Sequence, residues 1–192
     1  MRIGVLGFTD KRPILYPLMK LLQATGDVIV ITDDCHFKRL IEDYSSLGHL
    51  GNIMICVTDA TPDEVWEEIE LEENDFDHVV YDLRDTIHED IQFYIHVKGS
   101  DFEDGEEEFL ECVDDFKKIK LMYDGKQDKS KETINIPISL KLISTLEVLE
   151  NKNLLLPLPS KKINLAIAKL IAPSIDMKMK DAIKILKKGW ET

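Results

Sequence analysis

Short apolar runs alternate with amphipathic segments along most of the chain. The apolar runs, rich in β-branched residues, predict strands over residues 2–8, 27–32, 53–57, 76–82, 92–97, 119–123 and 153–158. The segments between them have helical apolar spacing, as in Ile14, Leu18, Leu21 and Leu22. They predict helices over residues 13–26, 37–47, 61–73, 101–115, 138–149, 164–171 and 177–188. The alternation predicts a single doubly wound α/β domain over residues 1–192, with a mainly parallel sheet of about six or seven strands flanked by helices.

The loop after the first predicted strand is a candidate ligand site, because doubly wound folds bind ligands at the carboxyl ends of their strands. A phosphate-binding loop needs small residues, whose backbone N–H groups point at phosphate, together with a lysine and a hydroxyl. Here Gly7 is followed by Phe8 and by the acidic Asp10, and the G-x-G-x-x-G dinucleotide fingerprint is absent. The nucleotide contacts that remain available in this loop are Gly7, Lys11 and Arg12.

Two aspartates, Asp33 and Asp34, follow the second predicted strand. An acidic residue at this place can hydrogen-bond the ribose of a bound nucleotide. Aspartate is also a favoured N-cap residue, so the pair can equally begin the next helix. The sequence leaves both interpretations open.

Four segments in order resemble the deviant-Walker ATPases of the ParA/MinD type. Residues 2–14 are similar to the first strand, P-loop and first helix of that family, and residues 28–34 to its second strand. Residues 76–83, Phe-Asp-His-Val-Val-Tyr-Asp-Leu, resemble its Walker B strand. Residues 153–160, followed by 164–172, are similar to its late strand and the helix behind it. The resemblance implies a P-loop NTPase-like fold.

The same resemblance implies that the nucleotide loop has been lost. The positions that match the signature lysine, second glycine, nucleotide lysine and magnesium-binding hydroxyl of the family are Phe8, Arg12, Pro13 and Ile14. Asp82 matches the Walker B aspartate and would bind magnesium only together with a nucleotide phosphate. Its other interpretation is an aspartate that caps the turn after its strand.

These positions imply a pseudo-ATPase with no catalytic residue and no cofactor. We expect a non-catalytic protein-binding or regulatory factor of a secretion, pilus, conjugation or partition machine. The alternative is an active ATPase that binds ATP and Mg²⁺ through an atypical loop, with Gly7, Lys11, Arg12, Asp33 and Asp34 on the nucleotide and Asp82 on the metal.

Three other chemistries have weaker support. Cys35, His36, His49 and Cys56 include metal-ligating side chains, but their spacing departs from that of zinc sites. A Cys-His nucleophile rests on residue type alone. A phosphorelay receiver would need to use Asp10, Asp59 and either Lys98 or Lys126, whose spacing fits poorly.

Charge is unevenly divided along the chain. The net charge is −13, yet residues 116–192 contain 16 Lys and 8 acidic residues, so the acidic excess lies in residues 1–115. A surface of this sign does not favour direct nucleic-acid binding. Protein partners are expected, including a homodimer across the first loop as in the family.

Three widely spaced cysteines favour a reducing, cytoplasmic location.

Two charged segments are candidate interaction surfaces. Residues 101–115 contain Glu106, Glu107 and Glu108, which form either a solvated helix face or a docking surface for a basic partner. Residues 176–190 predict a basic amphipathic helix with the interaction candidates Lys184, Lys187, Lys188 and Trp190. Such a helix either packs its apolar face on the domain or lies as a peripheral contact on an anionic membrane.

Overall fold

A computed structural model describes residues 1–99, 117–122, 126–154 and 160–187. Eight strands in these ranges form one sheet in the order β3-β4-β2-β5-β1-β6-β7-β8. All neighbouring strands are parallel except β3 and β4, which are antiparallel. The strands are β1 Arg2–Leu6, β2 Val28–Thr32, β3 Leu47–Leu50, β4 Ile53–Val57, β5 His78–Asp82, β6 Phe93–Lys98, β7 Lys117–Met122 and β8 Thr133–Pro137.

Apolar side chains are buried on both faces of the sheet, which is why the central strands lack polar alternation. All five residues of β2 are buried. One face packs against α1 and the C-terminal helices, and the other packs against Val65 and Trp66 of α2. The helices are α1 Arg12–Leu22, α2 Val65–Ile69, α3 Leu140–Glu150, α4 Lys161–Ile171 and α5 Met179–Lys187, with 3-10 turns at Cys35–Leu40, Glu73–Asp75 and Ala172–Ile175.

The predicted doubly wound α/β class is confirmed, but the predicted number of strands was too low. β3 lies where the sequence predicted the end of a helix over residues 37–47; the chain there forms only a short 3-10 turn. β8 lies between the strand predicted over residues 119–123 and the helix predicted over residues 138–149, where the sequence predicted no strand. Both are edge strands, whose exposed or half-exposed residues weaken the apolar signal.

Several predicted boundaries were also wrong. The first helix ends at Leu22 instead of residue 26, and α2 covers only part of residues 61–73 because Glu70 adopts a left-handed conformation with φ 55°. Residues 153 and 154 form no strand, and 155–158 lie outside the described residues. The acidic helix predicted over residues 101–115 also lies outside them.

Strand register brings the ends of three strands to one edge of the sheet. β1 lies between β5 and β6, with Val5 opposite Asp82, and β5 lies beside β2, with Ile31 opposite Tyr81. The loops that follow β1, β2 and β5 therefore leave the sheet side by side. This carboxyl edge carries the candidate site.

Candidate functional site

A cleft of about 450 Å³ opens at the carboxyl edge of the sheet. It brings together five of the six residues predicted to bind a nucleotide or its metal, namely Gly7, Lys11, Asp33, Asp34 and Asp82. The sixth, Arg12, does not line the cleft. The lining residues are Gly7, Phe8, Thr9, Asp10, Lys11, Asp33, Asp34, Cys35, Asp82 and Arg84.

A buried ion pair between Lys11 and Asp82 forms the floor of this cleft. Lys11 Nζ lies 3.0 Å from Asp82 Oδ1, and the two side chains are only 8% and 4% exposed. The same ammonium donates hydrogen bonds to the carbonyl oxygens of Gly7, at 2.6 Å, and Leu83, at 2.9 Å. Lys11 therefore ties the end of β1 to the end of β5.

Each carboxylate oxygen of Asp82 contacts one polar side chain, Oδ1 that of Lys11 and Oδ2 that of Thr32. Thr32 Oγ1 donates to Asp82 Oδ2 at 2.6 Å, and Thr32 Oγ1 in turn accepts from the backbone N–H of Asp34 at 3.0 Å. Burial raises the pKa of Asp82, and the Lys11 charge and the Thr32 hydrogen bond oppose that rise. Asp82 thus links the ends of β1, β2 and β5 in one hydrogen-bonded network.

Gly7 begins the loop because no other residue fits its position. Its φ of +131° is strained for a side-chain-bearing residue, and a Cβ there would lie 2.0 Å from the carbonyl oxygen of Val97. Its N–H donates to the carbonyl oxygen of Arg84 at 2.9 Å. The loop consequently presses against the end of β6.

Arg12 lies in a charge cluster beside the cleft. Its Nε and Nη2 donate to the two oxygens of Asp10 at 2.9 and 2.8 Å, and its Nη1 donates to Glu150 Oε1 at 2.8 Å. Burial alone would lower the pKa of Arg12, but the hydrogen bonds and charges of Asp10 and Glu150 raise it. The guanidinium is thus engaged by carboxylates, including Asp34 Oδ2 at 3.8 Å from its Nε.

The sequence did not predict the buried carboxylate of Glu150, which binds Arg12. It is fully buried at the end of α3, where its Oε1 also accepts a hydrogen bond from Tyr16 Oη at 2.9 Å and its Oε2 lies 3.5 Å from Arg39 Nη1. One signal in the sequence could have found it. Glu150 shares one helical face with Leu142, Leu146 and Leu149, so it lies on the apolar side of its helix.

Asp34 caps the 3-10 turn that follows β2. Its Oδ1 accepts from the backbone N–H of His36 at 2.9 Å and lies 2.6 Å from His36 Nδ1. Asp34 is therefore an N-cap residue, which is one of the two interpretations that the sequence left open for Asp33 and Asp34. Asp33 instead faces Arg84, with 3.3 Å between Oδ2 and Nη2.

A metal-ligating group forms at the same turn, with a composition that differs from the predicted set. In the described ranges, Asp34, Cys35 and His36 are the residues that place one donor atom each within 4.8 Å of the others. His49 and Cys56 do not belong to this group. Cys56 is buried, and burial raises the pKa of its thiol to about 11.

The residues of the phosphorelay interpretation are engaged in other contacts. Asp10 is bound by Arg12, and Lys98 forms an ion pair with Asp128. Asp59 lies in a neighbouring cleft of about 210 Å³, which shares Asp33, Asp82 and Arg84 with the first. Asp10 and Lys98 are thus paired with Arg12 and Asp128 and not with each other.

The structure describes two of the predicted interaction residues. Lys184 and Lys187 are exposed on α5, whereas Glu106, Glu107, Glu108, Lys188 and Trp190 lie outside the described residues. The apolar side of α5 is covered, since Ala182 and Leu186 are fully buried and Asn164 donates to the carbonyl oxygen of Leu186 at 3.4 Å. No helix in the described part of the chain has the length and apolar character needed to span a bilayer.

Comparison with known proteins agrees with this fold. No family model matches the chain, and no curated protein matches it. Among solved structures it is similar to a chain of the MinC:MinD cell division protein complex from Aquifex aeolicus, with 12% sequence identity and a TM-score of 0.59. The similarity covers 90% of this chain and 96% of that one. At this identity it shows a MinD-like, P-loop NTPase-like α/β fold.

Proposed function

We propose that this protein is a non-catalytic ParA/MinD-like factor that works by binding other proteins, as an assembly or regulatory component of a larger machine. The observation that carries the proposal is the Lys11–Asp82 pair. The groups at the cleft floor that would bind phosphate and magnesium are bound to each other instead. The solved relative in fold belongs to a complex of two different proteins, which agrees with a partner-binding role.

The Lys11 ammonium already donates to two acceptors, Gly7 O and Leu83 O, and it forms an ion pair with Asp82 Oδ1. A phosphate group could bind Lys11 only by replacing one of these buried contacts. Magnesium would likewise have to displace Lys11 or Thr32 from Asp82.

The charge of the cleft also opposes an anionic ligand. Four carboxylates line it, from Asp10, Asp33, Asp34 and Asp82, against the cations Lys11 and Arg84 in the lining and Arg12, which pairs with Asp10 from outside it. Lys11 and Arg84 are also paired with carboxylates of the cleft itself. Nucleotide phosphates would therefore enter a site with excess negative charge.

Thermal unfolding with Mg²⁺ and ATP, ADP, GTP, NAD or FMN tests the proposal. A ligand at 100 times its Kd adds about 2.7 kcal/mol, a shift of about 5–10 °C for a domain of this size. We expect no shift with any of the five. A shift with ATP and Mg²⁺ that disappears in Asp82→Asn would overturn the proposal in favour of the atypical ATPase. One observation favours that alternative: Lys11 and Asp82, a cation and a possible metal ligand, both line the same cleft.

The exposed side of α3 is the partner-binding surface that we assign. Its other side, including Leu142 and Leu146, is buried, yet Leu140 is 88% and Val148 50% exposed. A shallow groove of about 380 Å³ runs along it, lined by Lys141, Ser144, Thr145, Val148, Leu149, Lys152 and Leu154. Apolar side chains with a lysine towards each end are complementary to a partner segment that carries apolar and acidic side chains.

Affinity capture with three forms of the full chain tests this surface. Val148→Glu puts a carboxylate into the groove, whereas Lys169→Glu reverses an exposed charge on α4 and is the matched control. We expect a protein that is retained by the wild type and Lys169→Glu, is lost from Val148→Glu and is released by salt. Identical sets of retained proteins for all three forms would contradict the assignment.

A further inference from the structure

We infer that the turn after β2 binds a zinc ion through Asp34, Cys35 and His36. One carboxylate oxygen, the thiol sulfur and one imidazole nitrogen lie within 4.8 Å of one another. Sulfur, nitrogen and oxygen donors of these kinds are the ligands that zinc takes in proteins. The proposed ligands do not include Lys11 or Asp82, although Thr32 hydrogen-bonds both Asp34 and Asp82, and the site does not depend on the proposed function.

The spacing of the donor atoms is close to that of a bound ion. Zinc lies roughly 2.0–2.3 Å from each ligand atom, so two ligands of one ion are roughly 3–4 Å apart. A small movement would bring the three donors to that distance. Cys35 is exposed, and the side chains of Asp34 and His36 are 26% and 39% exposed, so such a movement disturbs no packed core.

The backbone under the three side chains is held in place before any metal binds. The N–H of Asp34 donates to Thr32 Oγ1, and the N–H of His36 donates to Asp34 Oδ1. The 2.6 Å contact between His36 Nδ1 and Asp34 Oδ1 holds these two donor atoms side by side, and a bound zinc ion would take the place of the hydrogen that they share. Fixed ligands lower the ordering entropy that metal binding has to overcome.

Three protein ligands leave zinc with an open fourth position. Cys35 and Asp34 both line the 450 Å³ cleft, and the carboxylates of Asp10 and Asp33 line it as well. The open position would therefore face a water-filled, acidic cleft. The excess carboxylate charge that repels nucleotide phosphate attracts a divalent cation.

Titration of the metal-free full-length protein with Co²⁺, a spectroscopic substitute for zinc, tests the site. We expect a thiolate-to-cobalt charge-transfer absorption that zinc abolishes by competition. Cys35→Ser should remove this absorption and weaken zinc binding by more than about 100-fold, because even outer-shell partners contribute about 10–100-fold. Asp34→Asn should also weaken binding while keeping the cap, because asparagine caps helices as well as aspartate does.

The other two cysteines supply matched controls. Cys56→Ser changes a buried thiol outside the site, and Cys112→Ser changes the third cysteine of the chain. Both variants should keep the absorption of the wild type, with circular dichroism confirming that every form is folded. The inference is overturned if the wild type shows no charge-transfer absorption, if Cys35→Ser retains it, or if Cys112→Ser loses it.

Discussion

Among single residues, Asp82 has the largest expected effect on stability. It carries the counter-charge of a lysine that is almost completely buried, and it also accepts the hydrogen bond from Thr32. A buried charge that loses its partner keeps its desolvation cost without compensation. The pair therefore stabilises the ends of β1 and β5 against each other.

Asp82→Asn should lower the free energy of unfolding by about 3–5 kcal/mol, because it leaves the Lys11 ammonium buried without a counter-ion. Asp33→Asn is the matched control. Asp33 pairs with Arg84 at 3.3 Å on the surface, so this change should cost less than about 1 kcal/mol. Urea unfolding measures both. Equal costs for the two variants would show that the Lys11–Asp82 pair contributes no more than a surface pair.

His78 should make stability depend on pH. It is buried in β5, with its Nε2 2.8 Å from Thr25 Oγ1. Burial lowers the pKa of His78 below its ordinary value of 6.5, the N-terminal amine lowers it further, and Asp77 opposes both. Below pH 6.5 the unfolded chain binds a proton more readily than the folded one, so stability is lost as pH falls from 6.5 through the folded pKa.

His78→Gln should therefore flatten the fall in unfolding free energy between about pH 7.5 and 5.5. Urea unfolding at both pH values measures this difference. The exposed His49 offers the control, and His49→Gln should keep the wild-type dependence. A wild-type slope in His78→Gln would assign the pH dependence to other groups.

Among elements, the tight exit of the chain from β1 sets the shape of the cleft. Gly7 presses the loop against β6, and Lys11, at the end of that loop, caps α1 without a side-chain hydrogen bond of its own to the helix. Pro13 and the buried Arg12 follow at once. The loop between β1 and α1 is therefore short, from Gly7 to Lys11, and packs closely against β6.

Gly7→Ala should destabilise the protein by at least about 2 kcal/mol, because the strained φ and the contact with Val97 O act together. Gly51→Ala is the comparison, since Gly51 also has a positive φ, of 64°, but nothing lies within 4 Å of its would-be Cβ. That variant should cost about 1 kcal/mol. Thermal and urea unfolding distinguish the two, and equal losses would contradict the close packing at Gly7.

In the whole molecule, the basic residues are concentrated in the C-terminal part of the chain and the acidic residues in the part before it. The basic C-terminal part forms helices that cover one face of the sheet, and α5 directs its lysines outward and its apolar residues inward. An amphipathic helix of this kind binds a membrane only if its apolar face is available. The packing of Ala182 and Leu186 therefore favours a structural role for α5.

Leu186→Ala should lower the free energy of unfolding by about 2–5 kcal/mol, because it opens a cavity under α5. Lys184→Glu, on the exposed side, should change it by less than about 0.5 kcal/mol. Sedimentation with anionic vesicles should be the same for wild type and Lys184→Glu. Strong vesicle binding by the wild type that Lys184→Glu reduces would indicate a membrane role for this helix instead.

The sequence alone determined the class of fold, because apolar periodicity reports directly which faces of strands and helices are buried. The buried run of β2 and the face of α1 that begins at Ile14 were predicted in this way. The edge strands β3 and β8 were missed because an edge strand buries little, so its residues need not be apolar. Residue types alone predict that the loop at Gly7 differs from a phosphate cradle, and this stays a prediction.

The partners of the polar groups were decided only by the tertiary structure. Lys11 and Asp82 are 71 positions apart in the sequence, and Arg12 and Glu150 are 138 apart. No local pattern links such residues, since their contact depends on which strands become neighbours in the sheet and where each helix ends. The sequence predicted Lys11 and Arg12 as nucleotide contacts because they are the cations of the loop after the first strand. The fold supplied acceptors for both, because burying an ammonium or guanidinium requires a carboxylate or carbonyl beside it.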